Sequence, residues 1–249
     1  MMPHGKPAAP GILACAVLAA LACAGGCRDH PGPTAPGPGP VATRAFSLLA
    51  LGDSYTVGEG VPEWGAWPRQ LADSLLVRGD TLAVTSLAAT GWTTGDLLAA
   101  LDRTPPTGTH DLVTVMIGVN NQFQDLPPDA FADDLRDIVG RAVAAAGGRP
   151  DRVIVFSIPD YGITPMGELF GGAAVSAAID TFNAAACPVA LDGGAHWLDI
   201  TPLSRTAAGR SDLVARDGLH FSTAMYGLWV EDMQDDVIGI LHDRKGMLP

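Results

Sequence analysis

Short aliphatic and β-branched runs recur along the chain, separated by longer stretches whose apolar positions repeat every three or four residues. The runs Phe46 to Leu51, Thr81 to Ser86, Leu112 to Ile117, Val153 to Ser157 and His196 to Ile200 are brief and bounded by turn residues, which predicts five buried strands. Between them Trp67, Leu71 and Leu75 share one helical face. Phe131, Leu135 and Val139 share another, widened by Ile138, Ala142 and Val143. A last helix is predicted from about Ser222, where Met225, Trp229, Met233 and Val237 repeat at i+4 and would close one face of the sheet. Strands alternating with helices predict βαβ crossovers, and hence an α/β domain with a parallel sheet covered on both sides. Such sheets bind ligands beyond the carboxyl ends of their strands, so the residues following each strand are the place to look for chemistry.

The N-terminal region departs from this pattern. Lys6 precedes an apolar run from Ile12 to Ala24 that ends in Ala24-Gly25-Gly26 and then Cys27. The run is short of the roughly 20 apolar residues a membrane-spanning helix needs, and its layout is that of a secretory signal peptide over residues 1–27. The end of this segment resembles a bacterial lipoprotein signal, with Ala24 where Leu is usual. That resemblance implies cleavage before Cys27 and acylation of its thiol, the alternative being ordinary secretion. Residues 28–44 are dominated by Pro and Gly from Pro31 to Pro40, too poor in apolar groups to repay ordering, and are expected to form a linker. The folded domain is expected over 45–249.

Composition narrows the function. A chain of 249 residues with 47% hydrophobic content suits one sizeable core. A formal charge of −12 and a pI near 4.6 argue against nucleic acid, whose phosphates draw most of their affinity from Lys and Arg. The only lysines are Lys6 and Lys245, so there is no polybasic patch for a membrane surface, and membrane attachment is expected only through an N-terminal lipid. Cys15, Cys23 and Cys27 lie in the signal region, leaving Cys187 alone in the domain with no disulfide partner and no metal-site spacing.

The residues after the strands form a chemically consistent set: Ser54 after the first, Gly91 after the second, Asn120 after the third, and Asp217 and His220 before the final helix. A serine hydroxyl needs a hydrogen-bonded base to attack a carbonyl. In Asp217-Gly218-Leu219-His220, a carboxylate three residues before the imidazole can reach Nδ1 through a tight turn and leave Nε2 facing the serine. The backbone N–H of Ser54, the backbone N–H of Gly91 and the side-chain amide of Asn120 are candidate donors to an oxyanion. Glycine at position 91 suits an amide that must approach a substrate closely. Thr93 and Asp96 have the spacing of a capping box that opens the next helix. Asp53 is expected only to order the Ser54 loop by accepting backbone N–H groups. Trp64, Trp67 and Trp92 are candidates for an apolar wall, Trp67 equally for the core. Segments 104–110, 122–129 and 159–172 are expected to shape the pocket, and His110, His196 and His242 are expected as partnerless surface or loop residues.

Gly52-Asp53-Ser54-Tyr55, Gly91, Gly118-Val119-Asn120-Asn121 and Asp217-Gly218-Leu219-His220 resemble blocks I, II, III and V of the SGNH, or GDSL, hydrolases, over about residues 46 to 243. The resemblance implies a three-layer α/β/α, flavodoxin-like fold with about five parallel strands. It implies hydrolysis of a small-molecule carboxylic ester through an acyl-enzyme, as in the lysophospholipases and arylesterases of that family, without metal or organic cofactor. It assigns Ser54, His220 and Asp217 to catalysis and Ser54, Gly91 and Asn120 to the oxyanion hole. Thr56 stands where the second glycine of a G-x-S-x-G elbow would be, which separates the chain from the α/β-hydrolases. Tyr55 replaces the family's Leu, Phe221 a frequent Pro, and Asn121 a frequent Asp, so the asparagine loop is expected to lack an ordering charge. A carbohydrate O-acetyl esterase would use the same triad. A surface-binding lipoprotein that had lost turnover would show a broken one, and all three residues are present. The expected location is the cell envelope, lipid-anchored, or the medium after secretion.

Overall fold

The computed structural model describes residues 44–243. The expected signal segment, its Cys27 and nearly all of the expected linker lie outside the described residues. In chain order the elements are β1 (Arg44–Gly52), α1 (Ser54–Val57), α2 (Trp67–Val77), β2 (Asp80–Ala88), α3 (Thr94–Arg103), β3 (Leu112–Met116), α4 (Val119–Phe123) and α5 (Pro128–Ala145). They continue with β4 (Val153–Phe156), α6 (Pro165–Phe170), α7 (Ala173–Asp192), β5 (His196–Leu198), α8 (Thr201–Arg205) and α9 (Thr223–Leu241). The five strands form one parallel sheet in the order β2-β1-β3-β4-β5.

This is the flavodoxin-like order, and it divides the helices between two faces. The chain steps from β1 outward to β2, then returns across β1 to β3 and continues to β4 and β5. Right-handed crossovers therefore put α2 on one face and α3, α5 and α7 on the other. The packing agrees, with α2 against α9, α3 against α5 and α5 against α7. The stripes predicted from sequence are the buried ones: Trp67, Leu71 and Leu75 on α2, Phe131, Leu135, Ile138, Val139 and Ala142 on α5, and Met225, Trp229, Met233 and Val237 on α9. Burying one such Leu, Met or Val side chain contributes about 1.5–3 kcal/mol. At the centre, β3 is buried at all five positions and β1 from Leu48 onward, as a strand flanked on both edges and covered on both faces must be.

Several boundaries move. Arg44, expected as the last linker residue, opens β1, because the β1–β2 ladder runs without interruption from Arg44↔Asp80 to Gly52↔Ala88. The same ladder carries β2 to Ala88, beyond the expected Ser86, while β3, β4 and β5 each end one or two residues early. His242 is not partnerless: its Nε2 lies 2.6 Å from Asp80 Oδ2, tying the end of α9 to the start of β2. Helix α7 shows no sharp apolar stripe in sequence, being rich in alanine, yet it buries Val175, Ile179, Phe182, Ala186 and Val189. Prolines in the first turns of α2, α5, α6 and α8 mark where those helices begin, a position where the missing N–H costs nothing.

Candidate active site

Strand β1 delivers its last residue, Gly52, into a sharp turn. A Cβ on Gly52 would collide with Thr56 Oγ1 and the Met116 carbonyl, so the strand can pass into α1 only with glycine there. Asp53 caps α1, its Oδ1 accepting the Tyr55 N–H at 3.0 Å. Ser54 is the first residue of the helix, so its N–H has no intrahelical acceptor and stays available at the cavity.

The segment before α9 brings the second half of the site. Asp217 Oδ1 accepts the N–H groups of Leu219 and His220 at 2.9 and 3.0 Å, closing the turn. The segment is clamped by Ala215 N–H to the His220 carbonyl at 2.7 Å and by Ser222 N–H to the Leu213 carbonyl at 2.9 Å. Phe221 is fully buried beside the Tyr55 and Trp229 rings, which anchors the residue after His220. The imidazole is thereby held with Nδ1 at 2.7 Å from Asp217 Oδ2 and Nε2 at 3.1 Å from Ser54 Oγ. The Tyr55 ring meets it edge-on, with centroids 5.7 Å apart. Partial burial pushes the Asp217 carboxyl upward, but the Leu219 N–H, the His220 ring and the His220 N–H outweigh it and hold Asp217 below the usual carboxylate range. An ionised Asp217 favours the tautomer that carries hydrogen on Nδ1, which leaves Nε2 free to take a proton from Ser54.

Gly91 and Asn120 line the same cavity as Ser54 and His220. A Cβ on Gly91 would meet no protein atom within 4 Å, and its φ of +83° favours glycine there. The Asn120 amide spends one hydrogen on the Trp92 carbonyl at 2.9 Å, and its second hydrogen remains for a ligand. Asn121 orders this loop without a charge. It is buried, its Oδ1 accepts the Thr94 N–H at 3.0 Å, and its Nδ2 donates to Thr94 Oγ1 at 2.7 Å. The Thr93–Asp96 capping box forms as predicted.

The cavity holds about 170 Å³, with walls of Tyr55, Val119, Phe123, Tyr161 and Leu219. None of the three tryptophans reaches it. Trp67 packs in the core on Phe156, and Trp64 is 65% exposed beside the preceding turn. Trp92 contributes its carbonyl to Asn120. Of the segments expected to shape the pocket, 122–129 supplies Phe123 and 159–172 supplies Tyr161, whereas 104–110 lies elsewhere. Tyr161 and Phe123 carried no motif. Their place after β4 and β3, at the same edge as Ser54, is the signal that could have found them.

Asp53 has a second property that no sequence feature announces. It is 1% exposed, and burial raises its carboxyl from 3.8 to about 7, although the Tyr55 N–H pulls the other way. Unfolded Asp53 loses its proton near pH 3.8 and folded Asp53 near 7, so its contribution is fully present below 3.8 and lost as pH rises to 7. A displacement of this size is worth up to about 4 kcal/mol. Asp53→Asn keeps the acceptor for Tyr55 and cannot ionise. In urea unfolding its stability relative to wild type is therefore expected to rise by about 2–4 kcal/mol between pH 4 and pH 8. An unchanged difference across that range rejects the buried-acid reading.

A sequence model of the GDSL-like Lipase/Acylhydrolase family matches residues 50–228. An arylesterase from Vibrio mimicus is 31% identical over 115 residues, which are 46% of this chain and 57% of that one, so the match spans little more than half of that relative. Among solved structures, the chain is similar to a psychrotrophic esterase from Pseudoalteromonas sp. inhibited by monoethylphosphonate, at 21% identity and a TM-score of 0.59, covering 79% of this chain and 99% of the other. It is also similar to an acetyl xylan esterase from Geobacillus stearothermophilus, at 18% identity and a TM-score of 0.61, covering 77% and 94%. At these identities the two structures speak to the fold alone.

Proposed function

The chain belongs to the GDSL-like lipase/acylhydrolase family, and on that premise we propose that it cleaves carboxylic esters with small apolar acyl or aryl groups through an acyl-enzyme on Ser54. The observation that carries this reading is the unbroken line Ser54 Oγ, His220 Nε2, His220 Nδ1, Asp217 Oδ2 at 3.1 and 2.7 Å, opening on a cavity that Gly91 and Asn120 also line. In the first half-reaction Oγ bonds to the ester carbonyl carbon while its proton passes to Nε2. The carbonyl oxygen becomes an oxyanion facing the N–H groups of Ser54, Gly91 and Asn120. Collapse breaks the bond to the alcohol oxygen, which leaves with the proton from Nε2. Water then repeats the sequence on the acyl-enzyme, and the acid is released with Ser54 restored.

The cavity supports the choice of substrate. A cavity of about 170 Å³ with mostly apolar walls suits a short acyl chain or an aromatic ring. The Phe123 wall is half exposed and meets Phe170 edge-on at 5.6 Å, an apolar surface on which a longer chain could lie. A sugar ring is less well served. The Tyr161 hydroxyl donates to Gln122 Oε1 at 2.8 Å and the Thr90 hydroxyl to Glu59 Oε2 at 2.6 Å, so toward ring hydroxyls both can only accept, and most of the other walls are apolar. The leader pattern ending at Cys27 supports export, with lipid anchoring at that thiol.

A p-nitrophenyl phosphonate ester tests the nucleophile directly: Oγ–P forms as p-nitrophenolate leaves, and no water can complete the turnover quickly. One phosphonyl group on the peptide containing Ser54 is expected, with loss of p-nitrophenyl butyrate hydrolysis in proportion to labelling. Labelling elsewhere, or hydrolysis that persists after full labelling, contradicts the proposal.

A further inference from the structure

The two loops that present Gly91 and Asn120 follow β2 and β3, which are not neighbours in the sheet; β1, carrying Ser54, lies between them. Donors to an oxyanion must be held in place before reaction, and a displacement near 1 Å can cost about 10²-fold in rate. Something must therefore set the span between these two loops. Across it runs a hydrogen-bonded chain that is buried at Thr94 and Asn121 and half-buried at Asp134. Thr94, the first residue of α3 and fully buried, gives its N–H to Asn121 Oδ1 at 3.0 Å and receives Asn121 Nδ2 on its hydroxyl at 2.7 Å. The same hydroxyl gives its only proton to Asp134 Oδ2 on α5, at 2.6 Å. Trp92 and Asn120 sit one or two residues away on either side and are joined to each other at 2.9 Å.

We propose that Asn121, oriented by Thr94 and Asp134, is a positioning residue that holds the Gly91 and Asn120 donors at a set separation around Ser54. This rests on the esterase reading above and deepens it. The identity of residue 121 follows from the proton count. The Thr94 hydroxyl has spent its proton on Asp134, so toward residue 121 it can only accept, while the Thr94 N–H can only donate. A side chain with one donor and one acceptor satisfies both, and an amide does so in a single plane. A carboxylate at 121 would turn a second acceptor on an oxygen with no proton left to give, beside another carboxylate, in a buried site where an unsatisfied group is costly.

The same count predicts a rescue. In Asn121→Asp combined with Asp134→Asn, the Thr94 proton turns toward residue 121 and the amide at 134 donates to Thr94 Oγ1. Every group is again satisfied with the chain running in reverse. With p-nitrophenyl butyrate as substrate, and enzyme concentration set by phosphonate titration, Asn121→Asp is expected to lower kcat about 10- to 100-fold while KM changes less than about threefold, because the donors act on the transition state. The double variant is expected to recover kcat to within about fivefold of wild type, a non-additivity that neighbours sharing one hydrogen-bonded network can show. A double variant as impaired as the single one, or a single variant with wild-type kcat, overturns the proposal. If Asn121→Asp yields no folded protein, Thr94→Ser and Thr94→Val decide the matter. The serine variant keeps the hydroxyl and is expected to keep its rate, and the valine variant is expected to lose at least about tenfold in kcat; equal kcat in the two overturns it. Wild-type protein that turns over no ester would instead overturn the esterase reading, and this inference with it.

Discussion

Ser54→Ala is expected to lower kcat for p-nitrophenyl butyrate by about 10⁴- to 10⁶-fold, the range seen when a serine hydrolase loses its nucleophile. The loss should stop short of the uncatalysed rate, because the Gly91 and Asn120 donors and the apolar walls remain and can still orient water against a bound ester. Stability should be almost untouched. Ser54 is 3% exposed, and among the described residues its hydroxyl is hydrogen-bonded to the ring of His220, which lines the cavity, so its removal empties little volume and strands no fully buried group. Steady-state rates on purified protein, together with a thermal melt, separate these effects. A variant that unfolds near the wild-type temperature and retains more than a tenth of the activity would mean that another group carries the acyl chemistry.

His220→Ala should lose nearly as much, although the imidazole forms no covalent bond to the substrate. Without Nε2 at 3.1 Å the Ser54 proton loses the acceptor that the described residues give it, and Asp217 bonds the far side of the ring. Because base and nucleophile act in one step, combining His220→Ala with Ser54→Ala is expected to cost no more than a few-fold beyond either change alone. Independent contributions would multiply instead. A His220→Ala variant within a few-fold of wild type points to a different base and removes the reason for the Asp217 arrangement. The two outcomes are easily told apart, because the predicted losses exceed any effect of the removed Tyr55–His220 ring contact, worth about 0.5–1.5 kcal/mol or roughly tenfold at most.

Much of the architecture was legible before any coordinates. Strands β1 and β3 are short, mostly apolar runs because β1 from Leu48 onward and all of β3 are buried, and α2, α5 and α9 show their stripes because each buries one face and leaves the other in solvent. Helix α7 is hard to read in the sequence for the converse reason: alanines lie all round it, so its buried and exposed faces differ little in hydropathy. The ends of β2 were misjudged because strand length is set by the partner's register, and the partner lies 36 residues away at Arg44↔Asp80.

The site divides along the same line. The order and spacing of Ser54, Gly91, Asn120, Asp217 and His220 were readable because each sits directly after a strand or in a turn whose geometry is local; the Asp217–His220 bond spans three residues. Local sequence determined which groups are present and which short turns they occupy. Only the tertiary structure decided that Ser54 and His220, 166 residues apart, stand within hydrogen-bonding distance. It also decided that Tyr161 and Phe123 wall the cavity, that Asn121 finds Thr94 and Asp134, and that Asp53 is stripped of water. The physical reason is range: turn closure and apolar periodicity are settled by near neighbours along the chain, whereas desolvation and hydrogen-bond partnership depend on which distant segments the sheet order places side by side.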